Sequence, residues 1–300
     1  MIKYLTGLLF CIITSFSSFS QEDSVITDSV IVTDTVEKEV VFTTQKVVPS
    51  LQDMEIYKLK PAVDIPLTTV GTGLSLLGFS KIYSKDASSE EEILALRKSD
   101  INSFDRGAAD NYSEKASDQS DLFFYGSMPL PLLLLIDKDI RQDAAKIGFL
   151  YLEALSITGV FYTGSNYFVN RYRPLAYNSN VPMDERRSGG STNSFIGGHP
   201  ALVATSVFFM AKVYADYHPE SNFKWVLYTA ATASTFATAY LRLKAGKHFP
   251  SDLITGVTIG ALSGILVPQF HKNKLINNER VKLAPFHNGY SSGLSFAYRL

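Results

Sequence analysis

The sequence predicts an all-α fold: a bundle of six helices, with a flexible N-terminal segment before it and a short strand-like tail after it. Six apolar segments carry this prediction, and charged or turn-forming stretches separate them. Apolar segments of this length joined by charged loops are typical of helical bundles. The segments span residues 62–83, 122–136, 144–164, 200–217, 224–241 and 252–270.

The composition favours one main domain, because 46% of the 300 residues are hydrophobic and allow a sizeable core. The net charge of −1 argues against a nucleic acid as partner. The single cysteine, Cys11, lies close to the N-terminus, so we expect no disulfide in the mature chain. The five histidines are scattered along the chain, and we predict no metal site and no cofactor.

The N-terminus has the pattern of an export signal. Lys3 precedes the apolar stretch 5–13, and small residues follow up to Ser20. We therefore predict a signal peptide over residues 1–20 that is cleaved after Ser20, with an uncleaved anchor as the alternative. Residues 21–60 are polar and rich in valine and threonine, which predicts a disordered linker.

The helical domain is predicted to span residues 61–272 and to contain a polar insertion at residues 84–121. Within the insertion, Ser89 and Glu92 form the capping-box pattern that starts a short helix. We expect the insertion to lie outside the bundle as a flap or a cap.

Small residues in the last two segments predict close packing between helices. Segment 224–241 is dense in alanine and threonine, and Gly256, Gly260 and Gly264 recur every four residues on one helix face. This spacing is found in membrane helices and in buried helices of soluble bundles, so both environments stay open.

The C-terminal tail covers residues 273–300 and ends in an alternating apolar pattern from Leu294 to Tyr298, which predicts a strand. The strand either pairs with residues near 40–48 or resembles an outer-membrane sorting strand. Because it is a lone strand, we favour packing on the domain.

The stretch from Arg242 to Asp252 carries a catalytic pattern. His248 is followed four residues later by Asp252, as a loop turns into a helix, which predicts an imidazole held by a carboxylate. Arg242 adds a fork of hydrogen-bond donors that suits a phosphate.

Two further loops add groups of the same kind. Gly198, His199 and a proline open the fourth segment, and a helix N-terminus attracts anions. Arg173 follows the third segment. Together these residues suit the transfer of a phosphoryl group, in which cations bind the oxygens, one histidine attacks phosphorus and the other protonates the leaving group.

With these residues in this order, the chain resembles the type 2 phosphatidic acid phosphatase superfamily, which includes bacterial acid phosphatases and vanadium haloperoxidases. The resemblance covers about residues 60–270. The third signature of that superfamily, Ser-Arg-x5-His-x3-Asp, is present from Arg242 to Asp252, with Leu241 in place of the serine.

The other two signatures are present in part. In Pro-Ser-Gly-His, Gly198 and His199 match, and Gly197 stands at the serine position. In Lys-x6-Arg-Pro, Arg173 and the following proline match, and Asn166 stands at the lysine position.

The resemblance implies a role for each matching residue. His248 is the nucleophile that forms a phosphohistidine, Asp252 orients it, and His199 is the general acid. The residues implied in binding the phosphate are Arg173, Arg242, Gly198 and Asn166.

The two departures weaken phosphate binding. Asn166 brings no charge, Gly197 brings no hydroxyl, and losing a charge-assisted contact costs about 1.5–3 kcal/mol. Three cations in the same loops can compensate: Lys244, Lys247 or Arg171. Because the nucleophile, the acid and both arginines are present, we predict an active enzyme.

The predicted function is hydrolysis of phosphate monoesters or diphosphates, of lipids such as phosphatidic acid, phosphatidylglycerol phosphate or isoprenyl diphosphate. The alternatives are a broad-specificity periplasmic acid phosphatase and a catalytically impaired protein that binds phosphorylated lipids. A vanadium haloperoxidase is disfavoured, because it must hold vanadate persistently and the signature lysine is missing.

We expect an exported protein of the cell envelope that rests on or shallowly in the membrane, with its site facing the periplasm. A cleaved leader and six full spans would place the catalytic loops in the cytoplasm. Several segments are also short for a span of about 20 residues, and the mean hydropathy of +0.06 suits a globular bundle.

Overall fold

The computed structural model describes residues 55–273, together with the backbone of residues 281–287 and 292–298. The predicted signal peptide and nearly all of the predicted linker lie outside the described residues. The α-helices are α1 Pro61–Tyr83, α2 Glu90–Ala95, α3 Glu114–Ser127, α4 Lys138–Gln142, α5 Ala144–Phe168, α6 Pro174–Tyr177, α7 Met183–Arg187, α8 Gly198–Tyr217, α9 Phe223–Lys244 and α10 Pro250–His271.

The long helices α1, α3, α5, α8, α9 and α10 form the bundle, which confirms the predicted all-α fold. They run in alternating directions. The segment before α1 pairs with the end of α10, where Lys58 N donates to His271 O at 2.8 Å. At the opposite end, Lys85, just after α1, donates through Nζ to the backbone oxygen of Asn166 in the last turn of α5, at 2.8 Å. The chain therefore enters and leaves the bundle at the same end.

The second predicted segment, 122–136, was placed too late in the chain. The helix α3 begins at Glu114, where Ser113 caps it by accepting a hydrogen bond from Ala116 N at 3.2 Å. Because the first half of α3 is polar, the pattern of apolar residues did not predict it. Prolines end it, and residues 130–136 continue as a 3-10 helix because proline lacks the N–H of an α-helical turn.

The insertion is therefore shorter than predicted, since its last residues, 114–121, belong to the bundle. Its capping box is confirmed: Glu92 N donates to Ser89 Oγ at 3.1 Å, and Ser89 N donates to Glu92 Oε2 at 2.9 Å. The insertion also contacts the domain, because Ser88 N donates to Arg187 O at 2.8 Å.

The glycines of α10 allow the tight packing that their spacing predicts, and their partner is α8. A Cβ atom on Gly256, Gly260 or Gly264 would lie 2.0–2.5 Å from a backbone oxygen of α8 or of the residue just before it. A side chain at these positions would push the two helices apart. This contact fixes the start of α10 beside the start of α8.

The C-terminal strand is confirmed, but its partner differs from the one expected. Strand β1, Val281–His287, pairs antiparallel with β2, Ser292–Tyr298, so that Val281 lies opposite Tyr298. The tail thus forms its own hairpin. Residues 40–48 lie outside the described part of the chain.

Three helices, α1, α5 and α10, are long and apolar enough to cross a membrane. The helix α1 buries mainly polar residues, including Asp64, Thr68 and Ser75. It exposes large apolar ones instead, which favours contact with lipid. These exposed residues include Val63, Ile65, Leu67, Val70, Leu74 and Leu77.

Candidate active site

The end of α9 turns the chain so that Arg242 and His248 approach the same place. Gly246 has a φ of +65°, the left-handed conformation that ends helices. Gly246 N donates to Leu243 O at 3.1 Å and Lys247 N donates to Arg242 O at 3.1 Å, the paired hydrogen bonds of a Schellman motif. This turn explains the spacing between the arginine and the histidine.

His248 is held in one orientation by a backbone carbonyl. Its side chain is buried, and Nδ1 lies 2.7 Å from Ser194 O. Because a carbonyl oxygen only accepts hydrogen bonds, Nδ1 carries the proton and Nε2 keeps its lone pair. Burial, followed by the charges of Arg173 and Arg242, holds the pKa of His248 well below its usual value. The ring is therefore neutral and able to act as a nucleophile.

The expected direct contact between Asp252 and His248 is replaced by a path through Ser194. Ser194 Oγ donates to Asp252 Oδ2 at 2.6 Å, and Phe249 N donates to the same oxygen at 2.9 Å. Asp252 Oδ1 accepts a hydrogen bond from Arg171. In the first turn of α10 the carboxylate folds back to cap its own helix, so it reaches the imidazole through Ser194 only.

His199 lies at the start of α8 and pairs with an acid that the sequence did not point to. Its Nε2 is 3.1 Å from Asp121 Oδ1, and Arg242 Nη1 is 3.5 Å from the same oxygen. Its ring also packs on Phe124, with 4.4 Å between ring centroids. Asp121 was the last residue of the predicted insertion, and only the position of α3 reveals its role.

The pKa of His199 reflects two opposing influences. Burial, and next the charge of Arg242, lower it to about 4, while Asp121 acts to raise it. The pKa of Asp121 is itself lowered, first by its hydrogen bond with His199. His199 is therefore mostly neutral at pH 7.

Arg242 is buried and Arg173 is half-buried. Arg242 Nη1 donates to Ser120 Oγ at 3.2 Å, but its buried Nε has no hydrogen-bond partner among the described residues. The hydrogen bonds of the Arg173 side chain within the described residues are long, at 3.3 and 3.4 Å, and both go to Asn193 O. Burial, followed by the charge of Arg173, lowers the pKa of Arg242 to about 10. Two neighbouring cations with free donors favour an anion between them.

Asn166 does not point its donor toward an anion. The side chain is fully buried in α5, and Nδ2 donates to Tyr162 O of the same helix at 2.8 Å. Gly198 lies close to the same tyrosine, since a Cβ atom there would be 2.4 Å from the ring. The structure thus places Gly198 at the helix start as predicted, while the Asn166 amide is used within its own helix.

Among the three cations expected to compensate, we identify Lys247 as the best candidate, because the charges of both arginines act on it. Burial, and then the charges of Arg173 and Arg242, lower its pKa to about 8. Lys244 lies over the ring of Tyr240, and the buried partners of Arg171 are acidic. Lys247 also lines a cavity of about 260 Å³ together with Tyr112, Ser113, Glu114, Ser117, Asp118, Glu185 and Ala245.

The arrangement is suited to an anion rather than to a metal cation. Among residues 55–273, no group of three or more His, Cys, Asp or Glu side chains is placed to hold a metal ion. The structure brings together His248, His199, Arg173 and Arg242. A nucleophile, a second imidazole and two guanidinium groups around one point match the needs of phosphoryl transfer.

Comparison with known proteins gives a family for part of the chain. The model of the PAP2 superfamily matches residues 147–276, which confirms the resemblance predicted from the motifs. No curated protein matches. Among solved structures, the crystal structure of Aquifex aeolicus LpxE is 21% identical, over 55% of this chain and 92% of that chain, with a TM-score of 0.39.

The opposing influences on His199 give a testable pair of variants. Asp121→Asn should lower the pKa of His199 further, because a charge that favours the imidazolium is lost, whereas Arg242→Gln should raise it. Each shift should be about one unit or more. NMR titration of ¹³C-labelled histidines, assigned with His199→Gln, measures both. Shifts of the same sign in the two variants would contradict the geometry.

Proposed function

We propose that this chain, which carries a PAP2 superfamily region over residues 147–276, is a phosphatase that acts on lipid phosphates through a phosphohistidine at His248. One observation carries the proposal. The ring of His248 is neutral, its Nδ1 is fixed by Ser194 O, and the charges of Arg173 and Arg242 act on it. The buried Nε of Arg242 has no hydrogen-bond partner among the described residues.

In the first step, Arg173, Arg242 and the N-terminus of α8 bind the phosphate oxygens. His248 Nε2 attacks phosphorus, the bond to the ester oxygen breaks, and His199 gives that oxygen a proton. The positive charge that develops on His248 is stabilised through its Nδ1–H bond to Ser194 O. The alcohol leaves, and the phosphoryl group stays on Nε2.

In the second step, a water molecule attacks phosphorus and His199 takes its proton. The P–N bond breaks, its electron pair returns to Nε2, and inorganic phosphate leaves. His199 needs a proton before the first step, although its pKa is about 4. A bound phosphate dianion raises that pKa, because a nearby negative charge favours the imidazolium. Substrate binding thus prepares the acid.

The exposed apolar residues of α1 support a substrate that resides in a membrane. A helix that buries polar residues and exposes leucine and valine is stable against lipid. The catalytic loops follow α1 and α5 and precede α10, the three helices able to cross a membrane. The site would then open near one membrane surface, where phosphate head groups lie.

The alternatives each have one supporting observation. The cavity beside Lys247 is lined mostly by polar residues, which suits a water-soluble substrate and hence a broad-specificity acid phosphatase. The internal hydrogen bond of Asn166 favours a binding protein that has lost turnover. We favour the enzyme, since the nucleophile and both arginines are in place.

Removing each histidine separates their roles. His248→Ala should abolish phosphate release from every substrate. His199→Ala should slow cleavage of the ester bond of a lipid phosphate by about 10²–10⁴-fold, but slow cleavage of p-nitrophenyl phosphate much less, because that leaving group needs no proton. Phosphate release measures the effect of His248→Ala, and the alcohol or p-nitrophenol released in the first turnover measures that of His199→Ala.

His218→Ala, a histidine far from the site in the α8–α9 loop, is the matched control and should stay within about twofold of wild type. Turnover by His248→Ala would contradict the assignment of the nucleophile. A folded wild type that releases no phosphate from any lipid or soluble ester would favour the binding protein instead.

Lys247 should supply part of the charge missing at position 166. Lys247→Ala is expected to raise KM about ten- to hundredfold with little change in kcat, the effect of losing a contact of about 1.5–3 kcal/mol to a charged group. Lys244→Ala, in the same loop but exposed, should change KM by less than about twofold. Equal effects of the two substitutions on KM would rule out this role.

We also propose that the site end of the bundle faces the periplasm. The test uses single cysteines in a Cys11→Ser background, at Ser179 in a site-end loop and at Glu220 at the opposite end. A membrane-impermeant maleimide added to intact cells with a permeabilised outer membrane should label Ser179→Cys. Protection of Ser179→Cys with labelling of Glu220→Cys would place the site in the cytoplasm.

Labelling of Glu220→Cys also tests how deeply the bundle sits in the membrane. Labelling there fits a bundle seated shallowly in the membrane and a leader cleaved after Ser20. Protection there means that the bundle crosses the membrane, and then the segment before α1 lies in the cytoplasm, which fits an uncleaved leader.

A further inference from the structure

Asp105 lies in the insertion, outside the residues that match the PAP2 superfamily, and yet its side chain is fully buried. Its carboxylate accepts four hydrogen bonds. Ser251 donates through N at 2.9 Å and through Oγ at 2.6 Å, Arg171 donates through Nη2 at 2.7 Å, and Asn102 donates through Nδ2 at 2.7 Å. An insertion that lay outside the bundle as a flap in solvent would not enclose a carboxylate in this way.

The carboxylate is charged. Burial acts to raise the pKa of Asp105, but the hydrogen bonds from Ser251, Asn102 and Arg171 outweigh it and leave the pKa below its usual value. A buried, charged carboxylate that accepts four hydrogen bonds is held rigidly, because each lost hydrogen bond to a charged group costs about 1.5–3 kcal/mol.

Arg171 connects Asp105 to the catalytic loop. Its Nη2 donates to Asp105, and its Nη1 donates to Asp252 and, at 2.9 Å, to Ser251 Oγ. The backbone oxygen of Arg171 accepts from Ser194 N at 3.2 Å. Ser194 is therefore held on two sides by groups whose positions depend on Arg171.

We propose that Asp105 is a positioning residue for the nucleophile. It fixes Arg171 and the first turn of α10, so that Asp252 holds Ser194 and Ser194 O holds the ring of His248. This inference rests on the proposed phosphatase function, and it assigns the insertion a part in the active site beyond the family region.

The charges support the same role. Asp105 and Asp252 with Arg171 carry a net charge of −1 at the N-terminus of α10, where the helix dipole favours a negative group. That charge is present before the reaction, and Ser194 links Asp252 to the ring of His248, which gains positive charge. Replacing Asp105 by a neutral residue would both loosen Arg171 and remove this stabilisation.

The main test is the kinetic effect of Asp105→Asn, which keeps the shape and removes the charge. We expect kcat for p-nitrophenyl phosphate to fall about ten- to hundredfold, the size of effect that misplacement of a reacting group produces. KM should change by less than about twofold, because Arg173 and Arg242 are untouched. Asp110→Asn, exposed in the same insertion, is the control and should leave kcat unchanged.

A second variant tests the same role in case Asp105→Asn does not fold. Ser251→Ala removes one donor to Asp105 and one acceptor for Arg171, but leaves the Ser251 N hydrogen bond, so kcat should fall in the same direction by a smaller factor. Circular dichroism checks the fold of each variant. A lower melting temperature with kcat unchanged at 25 °C would show a purely structural role and overturn the proposal.

A readout without turnover separates this proposal from the phosphatase function. In wild type, ¹⁵N NMR should show His248 with a protonated, exchange-protected Nδ1. In Asp105→Asn the protection of that proton should be lost, even in a protein that releases no phosphate. An unchanged His248 signal in Asp105→Asn would overturn the positioning role, whereas an inactive wild type would count against the phosphatase function alone.

Discussion

The carboxylate of Asp252, buried at the first turn of α10, is the constraint on which the site depends. A buried charge of this kind is stable only when it is fully paired, since removing one partner of a buried pair costs about 3–5 kcal/mol. Its partners come from three separate loops: Arg171 after α5, Ser194 before α8 and the backbone of Phe249 after α9. Satisfying this one group therefore fixes the three loops that carry the proposed catalytic residues relative to one another.

The packing of α10 against α8 sets the distance between the loop before His199 and the first turn that carries Asp252. Gly256 lets α10 approach the backbone of Gly197, and Gly197 N donates to Asp252 O at 3.0 Å. His199 follows two residues after Gly197, so the contact that holds the support of the proposed nucleophile also positions the proposed acid. The small residues of α10 therefore set the spacing of the proposed site as well as the packing of the helices.

The sequence predicted the parts of the site that depend on local spacing. Arg242 and His248 are joined by a helix-ending turn, and a glycine in that turn is a local signal. His199 precedes a proline in the first turn of α8 and Arg173 precedes the proline that starts α6, and both of these signals are also local. These residues could be placed in one site before any tertiary structure was known.

The residues that were missed depend on contacts between distant parts of the chain. Ser194 bonds to a residue 58 positions away, and Asp121 pairs with one 78 positions away. The spacing of apolar residues along the sequence carries no information on such distant pairs. The start of α3 was missed because its first turns are polar. The direction of the Asn166 amide was not predictable either, since the side chain of an asparagine in a helix can donate to a backbone carbonyl of that helix instead of to a ligand.

In the proposed mechanism His248 carries the phosphoryl group between two half-reactions, and the most direct test is to trap that intermediate. His199→Ala is mixed with p-nitrophenyl phosphate, quenched rapidly in alkali and digested for mass spectrometry. Because the good leaving group needs no acid while hydrolysis of the intermediate needs a base, we expect an acid-labile, alkali-stable phosphate to accumulate on His248. Rapid phosphate release with no phosphohistidine, or a phosphate on another residue, would contradict it.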